Sequence, residues 1–128
     1  MVTPKEWPGG WLPIPYAQRC RERKADLAQR LATFLAYCRD RPDITAVIVF
    51  GSYARDSVSP WSDIDVLVVR DAPADSRSID LVDDLYRSGG LGGDIVAVAS
   101  AHYPRGLEAT PFGKTILAEG VVVYARSA

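Results

Sequence analysis

The sequence has few features that would place the protein in or across a membrane. No apolar run among its 128 residues approaches the ~18 residues that a membrane-spanning helix needs. The N-terminus lacks the layout of a signal peptide, because Pro4, Pro8, Pro13 and Pro15 interrupt it. We therefore expect a cytoplasmic protein that does not enter a membrane.

An excess of charge of either sign is also missing. Fifteen Lys and Arg residues stand against 16 Asp and Glu residues, which gives a formal net charge of −1. Binding to DNA or RNA without sequence preference needs a clustered basic surface, so we expect no nucleic acid among the partners. The basic run from Arg19 to Lys24 indicates a solvated helix face, with contact to nucleic acid or to an acidic partner as the alternative.

Cysteine and histidine are scarce. Cys20 and Cys38 fall on one predicted helix, about 27 Å apart along its axis, and this distance excludes a disulfide within a straight helix. We expect both thiols to be reduced and buried on one side of that helix. His102, the single histidine, falls in a predicted loop and is not included in the candidate site.

The most informative stretch covers residues 47–69. Its first apolar run predicts a buried strand, and Gly51 and Ser52 end that strand. A short helical segment is expected next, and its free N–H groups would favour an anion such as phosphate. Gly51 lets a phosphate approach the backbone, Ser52 adds a hydroxyl, and Arg55 adds a positive charge.

Ten residues separate Ser52 from the first of two aspartates. Asp63 and Asp65 precede the apolar run 66–69 and are predicted to share one face of a strand, with Ile64 directed into the core. Neighbouring carboxylates repel each other without a counter-charge, and Mg²⁺ bound by carboxylates and substrate phosphates supplies one. The pattern therefore indicates phosphoryl or nucleotidyl transfer.

The pattern of Gly51-Ser52, ten residues and Asp63-x-Asp65 resembles the signature of a known superfamily. This is the nucleotidyltransferase superfamily, which includes DNA polymerase beta and kanamycin nucleotidyltransferase. The short chain resembles in particular the minimal nucleotidyltransferases, which are often paired with HEPN-domain proteins as antitoxin and toxin. The resemblance covers about residues 47–124, most of the chain.

The resemblance implies a third carboxylate from a neighbouring strand. Asp94 matches that position, because it opens the otherwise apolar segment 95–99. A solvated acid at the start of a strand is the alternative interpretation, and Asp83 and Asp84 are the fallback candidates. By the same resemblance, Asp63, Asp65 and Asp94 form the catalytic and metal-binding set.

The predicted fold is of the α/β (α+β) class, with a sheet of about four strands covered by helices. The resemblance adds that the sheet is mixed, as in the polymerase beta-like nucleotidyltransferase fold. We expect an extended N-terminal arm over residues 1–15 and a nucleotidyltransferase domain over residues 16–128. The predicted helices cover residues 16–40, 53–55, 76–87 and 112–119, and the predicted strands cover residues 47–50, 66–69, 95–99 and 121–124.

The resemblance implies an Mg²⁺-dependent enzyme that moves AMP from ATP to a hydroxyl of a partner protein. That partner would be a HEPN-type toxin, two Mg²⁺ ions would be bound, and Gly51, Ser52 and Arg55 would hold the phosphates. One alternative is a small-molecule acceptor, as in aminoglycoside nucleotidyltransferases. Another is a non-catalytic antitoxin that acts by occlusion. A homo-oligomer stays open, because a chain this short leaves little protein to build an acceptor pocket.

Overall fold

The computed structural model of the protein describes residues 14–72 and 78–126. The predicted N-terminal arm lies outside these ranges except for Ile14 and Pro15. Within them, helices and strands alternate along the chain. The elements are α1 (Tyr16–Arg39), β1 (Ile44–Phe50), β2 (Asp65–Arg70), α2 (Ile79–Ser88), β3 (Ile95–Ala99), two short 3₁₀ helices (Ser100–His102 and Arg105–Ala109), α3 (Pro111–Glu119) and β4 (Val121–Ala125).

The four strands form one mixed sheet in the order β3-β2-β1-β4. Strand β1 pairs antiparallel with both β2 and β4, whereas β2 pairs parallel with β3. This arrangement confirms the predicted α+β fold with a mixed sheet of four strands. The two pairings of β2 set the register of the site, because Phe50 lies opposite Asp65 and Val66 lies opposite Ile95.

Helices α1 and α2 cover one face of the sheet. The buried stripe of α1 consists of Leu27, Leu31, Phe34 and Cys38, which recur at helical spacing. These side chains pack with Leu81 and Leu85 of α2 against the sheet residues Ile44, Val47, Val49, Val66, Val68 and Ile95. The first helix therefore lies directly over the strands that carry the candidate site.

Helix α3 covers the opposite face. Its Ile116 packs in a second cluster with Ile48 and Phe50 of β1 and with Leu67 and Val69 of β2. Strands β1 and β2 are therefore buried on both faces, which explains why they read as continuous apolar runs rather than as alternating patterns.

Several local predictions differ from the structure. Strand β1 begins at Ile44, earlier than predicted, and two 3₁₀ helices occupy a segment expected to be a loop. Helix α2 begins at Ile79, and its predicted start at residue 76 lies outside the described residues. Within the described ranges, none of the helices is long and apolar enough to span a bilayer.

The cysteines are both free, but only one of them is buried. Cys38 is fully buried in the α1 stripe, whereas Cys20 is only partly buried. The expectation of two buried thiols is therefore wrong for Cys20, because the core beneath α1 begins only at Leu27.

Burial raises the pKa of the Cys38 thiol to about 12, so its reactive thiolate is scarce near neutral pH. We expect iodoacetamide at about pH 8 to label one cysteine, Cys20, in the folded protein and both cysteines in urea. The mass of the intact protein measures this directly. The variant Cys20→Ser should take up no label while folded, and rapid labelling of Cys38 in that variant would contradict the prediction.

Candidate functional site

Gly51 and Asp65 meet where β1 ends and β2 begins. Gly51 has φ +80°, a conformation that glycine adopts without steric cost. A Cβ atom placed on Gly51 would lie 2.5 Å from Oδ2 of Asp65. The missing side chain of Gly51 is therefore what makes room for the Asp65 carboxylate.

The segment after Gly51 is a compact turn. The N–H of Arg55 donates to the Gly51 carbonyl at 3.1 Å, and the N–H of Ser57 donates to the Ser52 carbonyl at 2.9 Å. The predicted helical segment over residues 53–55 is therefore wrong, because Asp56 takes φ 56° and the helical repeat cannot continue through it. An anion at this turn would meet individual N–H groups rather than the dipole of a helix.

Parallel pairing of β2 with β3 places Asp94 beside Asp65. The N–H of Val66 donates to the Asp94 carbonyl at 2.9 Å, so Asp94, just before β3, is a neighbour of the first residues of β2. Gly93 allows this approach, because a Cβ atom there would lie 1.8 Å from the Ile64 carbonyl oxygen. The sheet thus joins two acids that lie 29 positions apart in the sequence.

The carboxylate of Asp65 lies in an unfavourable environment. Its pKa is raised first by burial and then by the negative charges of Asp94 and Asp63. A hydrogen bond from the Asp94 backbone and the charge of Arg55 oppose this rise. Asp63 and Asp94 are therefore both close enough to Asp65 for their charges to act on its carboxylate.

Asp63 precedes β2 instead of lying on it, so the prediction that it shares a strand face with Asp65 is wrong. Its side chain is 62% exposed, and Oδ1 accepts a hydrogen bond from Nη2 of Arg23 at 3.1 Å. Ile64, between the two aspartates, is fully buried, as predicted. The buried side chain of Ile64 anchors the short segment before β2, although this segment is not part of a strand.

The carboxylates of Asp63, Asp65 and Asp94 are oxygen ligands of the kind that a hard divalent cation binds. Across residues 14–72 and 78–126, no three acidic, histidine or cysteine side chains form a ready metal-binding cluster. The chemistry of Asp63, Asp65 and Asp94 nevertheless fits a hard cation such as Mg²⁺, because a cation would relieve the repulsion that raises the pKa of Asp65. The exposed carboxylates of Asp63 and Asp94 are accessible to such an ion.

Arg55 lies near the acids but has another partner. Its Nη1 is 2.9 Å from Oε2 of Glu119, the last residue of α3. The same guanidinium lowers the pKa of Asp65. Arg55 is therefore close to the site, and it would have to exchange Glu119 for a phosphate in order to bind an anion through that nitrogen.

Trp61 occupies the loop before Asp63 and does not pack in the core. Its side chain is 71% exposed and meets the ring of Tyr16 edge to face, with centroids 6.3 Å apart. In the described part of the chain, Trp61 therefore packs against Tyr16 at the surface and does not join the core.

The fallback acids lie on α2 and take part in other contacts. Asp84 accepts hydrogen bonds from Tyr37 at 2.5 Å and from Arg41 at 2.6 Å, which tie α2 to the end of α1. Asp83 forms an ion pair with Arg87 one turn later, at 3.2 Å. Neither contributes to the electrostatics of Asp65, whereas Asp94 does.

A partly buried aspartate beside a glycine turn, with two further acids close enough to act on its charge, is an arrangement also found in enzymes that act on phosphate esters with a divalent cation. The chain belongs to the nucleotidyltransferase domain family, because residues 31–119, well over half of its length, match the model of that family. The matched segment contains all six candidate residues: Gly51, Ser52, Arg55, Asp63, Asp65 and Asp94. The predicted class of enzyme, a nucleotidyltransferase, is thus confirmed.

Individual relatives agree with this membership. The chain is 33% identical over 69 residues to a protein of Methanocaldococcus jannaschii named "putative protein adenylyltransferase", covering 52% of this chain and 69% of that protein. The fold of this chain is similar to that in the crystal structure of a "putative nucleotidyltransferase" from Sulfolobus solfataricus. The TM-score is 0.64, with 17% identity over 84% of this chain and 88% of that chain. A structure of the toxin–antitoxin pair MntA–HpeT gives a TM-score of only 0.46, with 19% identity over 78% and 73% of the two chains.

Replacing Gly51 with alanine tests the approach of Gly51 to Asp65. Gly90 is a matched control, because its φ is +74° but a Cβ there would meet nothing closer than 3.6 Å. Both Gly→Ala variants should lose about 1–2 kcal/mol of stability through backbone strain, measured by urea unfolding. Only Gly51→Ala should also lower nucleotidyl transfer, by about a hundredfold, because it displaces Asp65. Equal activity of the two variants would contradict this role.

The environment of Asp65 also predicts a dependence of stability on pH. Because its folded pKa lies above its unfolded pKa, the contribution of Asp65 to stability is full below about pH 4 and is lost as pH rises through the folded pKa. Asp65→Asn, which cannot ionise, should therefore unfold at higher urea than the wild type at about pH 7. The difference should shrink towards about pH 4. A variant less stable than the wild type at about pH 7 would argue against net repulsion at this site.

Proposed function

We propose that the protein transfers AMP from ATP to a hydroxyl group of a partner protein, in the cytoplasm and with Mg²⁺. The observation that carries the proposal is the half-buried Asp65 between Asp63, Asp94 and the Gly51 turn. Such a cluster of like charges lowers stability unless a cation compensates it. Membership of the nucleotidyltransferase family supports the type of reaction.

The relative from Methanocaldococcus jannaschii, named as a protein adenylyltransferase, supports a protein acceptor. We propose a HEPN-type toxin as the acceptor. This last step rests on the resemblance to the minimal nucleotidyltransferases.

The chain's own residues then take defined parts in the reaction. In this proposal the triphosphate lies over the turn at Gly51, beside the Asp65 carboxylate, and the hydroxyl of Ser52 and the charge of Arg55 hold its oxygens. The acceptor oxygen attacks the α-phosphorus, the bond from this phosphorus to the oxygen bridging it to the β-phosphorus breaks, and pyrophosphate leaves. Asp94 accepts the proton of the attacking hydroxyl.

Asp63, Asp65 and Asp94 are the residues that would hold Mg²⁺, two ions in this proposal. Bound there, Mg²⁺ supplies neutralisation of the phosphate charge and activation of the acceptor hydroxyl. Most of the rate enhancement then comes from positioning and from charge compensation. The protein's part is to keep three carboxylates together in spite of their repulsion.

The experiment uses ATP labelled at the α-phosphate, added with Mg²⁺ and the purified protein to a lysate of the source cells. The wild type should label a discrete protein band. Asp63→Asn/Asp65→Asn should remain folded and reduce this labelling by at least about a hundredfold, because it removes charges that the transition state needs. The labelled band, identified by mass spectrometry, names the acceptor.

Other results would redirect the proposal. Label found only in small molecules would indicate an acceptor such as an aminoglycoside. A folded wild type that labels nothing, while still neutralising a toxin, would overturn the enzymatic proposal in favour of an antitoxin that acts by occlusion. In that case Asp63→Asn/Asp65→Asn should neutralise as well as the wild type.

A further inference from the structure

Arg23 of α1 reaches across to the segment that carries Asp63. Its Nε donates to the Ser62 carbonyl at 2.7 Å, and its Nη2 donates to Oδ1 of Asp63 at 3.1 Å. Its side chain is only 21% exposed, far less than that of an ordinary surface arginine. The guanidinium therefore binds the backbone and the side chain of two successive residues at once.

The segment held by Arg23 is itself folded. The Ser62 hydroxyl accepts from the Ser59 N–H at 2.8 Å and lies 2.9 Å from the Ser59 hydroxyl. Ile64, on the far side of Asp63, is fully buried. The neighbours of Asp63 in the chain, Ser62 and Ile64, are thus held in place by hydrogen bonds and by burial. Arg23 contacts the exposed carboxylate of Asp63 itself.

Arg23 is also connected to the second acidic segment through α1. Asp26 binds Nη1 of Arg23 at 3.0 Å and Nε of Arg30 at 3.0 Å. Arg30 in turn lies against Gly92, where a Cβ atom would be 2.4 Å from its Nη1. Gly92 precedes Asp94 by two residues, so one charged stripe of α1 contacts both acidic segments.

We propose that Arg23 is a positioning residue, which holds Asp63 through Oδ1 so that its other oxygen is presented together with Asp65 and Asp94. This proposal rests on the proposed function, because it gives Asp63 its part in binding a divalent cation. An exposed ion pair alone would contribute little. This contact differs from such a pair in three ways. Arg23 also donates to the Ser62 carbonyl, its side chain is little exposed, and its guanidinium forms a second ion pair with Asp26.

The test compares Arg23→Met with Arg19→Met, which removes the same charge from an exposed position one turn earlier on α1. Binding of Mn²⁺ alone to the full chain is measured by electron paramagnetic resonance, and urea unfolding shows whether each variant is folded. Arg23→Met should weaken Mn²⁺ binding at least about fivefold, although it removes a positive charge from the site. Arg19→Met should bind Mn²⁺ as the wild type does.

A conservative variant separates positioning from charge. Arg23→Lys keeps the charge but lacks the planar fork that reaches both Ser62 and Asp63, so its Mn²⁺ affinity should fall between those of the wild type and Arg23→Met. It also replaces Arg23→Met in the test if the latter does not fold. In the labelling assay, Arg23→Met should need more Mg²⁺ for half-maximal transfer.

The outcomes separate this inference from the proposed function. Unchanged or tighter Mn²⁺ binding by folded Arg23→Met, or by Arg23→Lys where Arg23→Met is unfolded, would overturn the positioning role. A wild type that transfers no label while Arg23→Met loses Mn²⁺ affinity would overturn the proposed function and leave the positioning role supported. Equal weakening by Arg19→Met would show that the loss of affinity does not depend on the contact with Asp63, and this would overturn the proposal.

Discussion

Strand β2 pairs with β1 on one side and with β3 on the other, and the candidate site depends on these two pairings. The antiparallel pairing sets Asp65 opposite the end of β1, against Gly51, and the parallel pairing sets Asp94 beside it. Both contacts require glycine, since a Cβ at Gly51 would meet the Asp65 carboxylate and a Cβ at Gly93 would meet the backbone of Ile64. A slip of either register by one residue would separate the acids and exchange the side chains that β2 packs into the cores on its two faces.

The electrostatics of the site show how the protein keeps like charges together. Asp65 is partly buried between two other acids, which raises its pKa, while a backbone hydrogen bond and Arg55 partly compensate. Asp63 is compensated separately, by Arg23. Repulsion in the free protein is then a source of affinity for any cation or substrate that relieves it, a pattern common at functional sites. The apolar core on both faces of β2 provides the stability that this arrangement needs.

Much of the fold followed from periodicity. The stripe of α1, the apolar runs of the strands and the boundaries of β3 were predictable, because their burial pattern matches their secondary structure. The turn after Ser52 was not, because its form depends on Asp56 adopting a positive φ. The position of Asp63 ahead of β2 was missed for a similar reason. Strand alternation predicts a shared face for Asp63 and Asp65, whereas Asp63 precedes the strand and its carboxylate binds Arg23, which lies 40 residues earlier in the chain.

The sequence by itself determined the identity and spacing of the acids and of Gly51 and Ser52, and it indicated the class of enzyme, since these are local patterns with chemical meaning. It also carried a signal for Arg23, Asp26 and Arg30, which lie three and four positions apart on one helix, but nothing local indicated what they face. Only the tertiary structure decided the strand order, the direction of β3 relative to β2 and the contact of α1 with the acidic segments. These depend on which surfaces meet when the core forms, and contacts between residues distant in sequence leave no periodic trace in the chain.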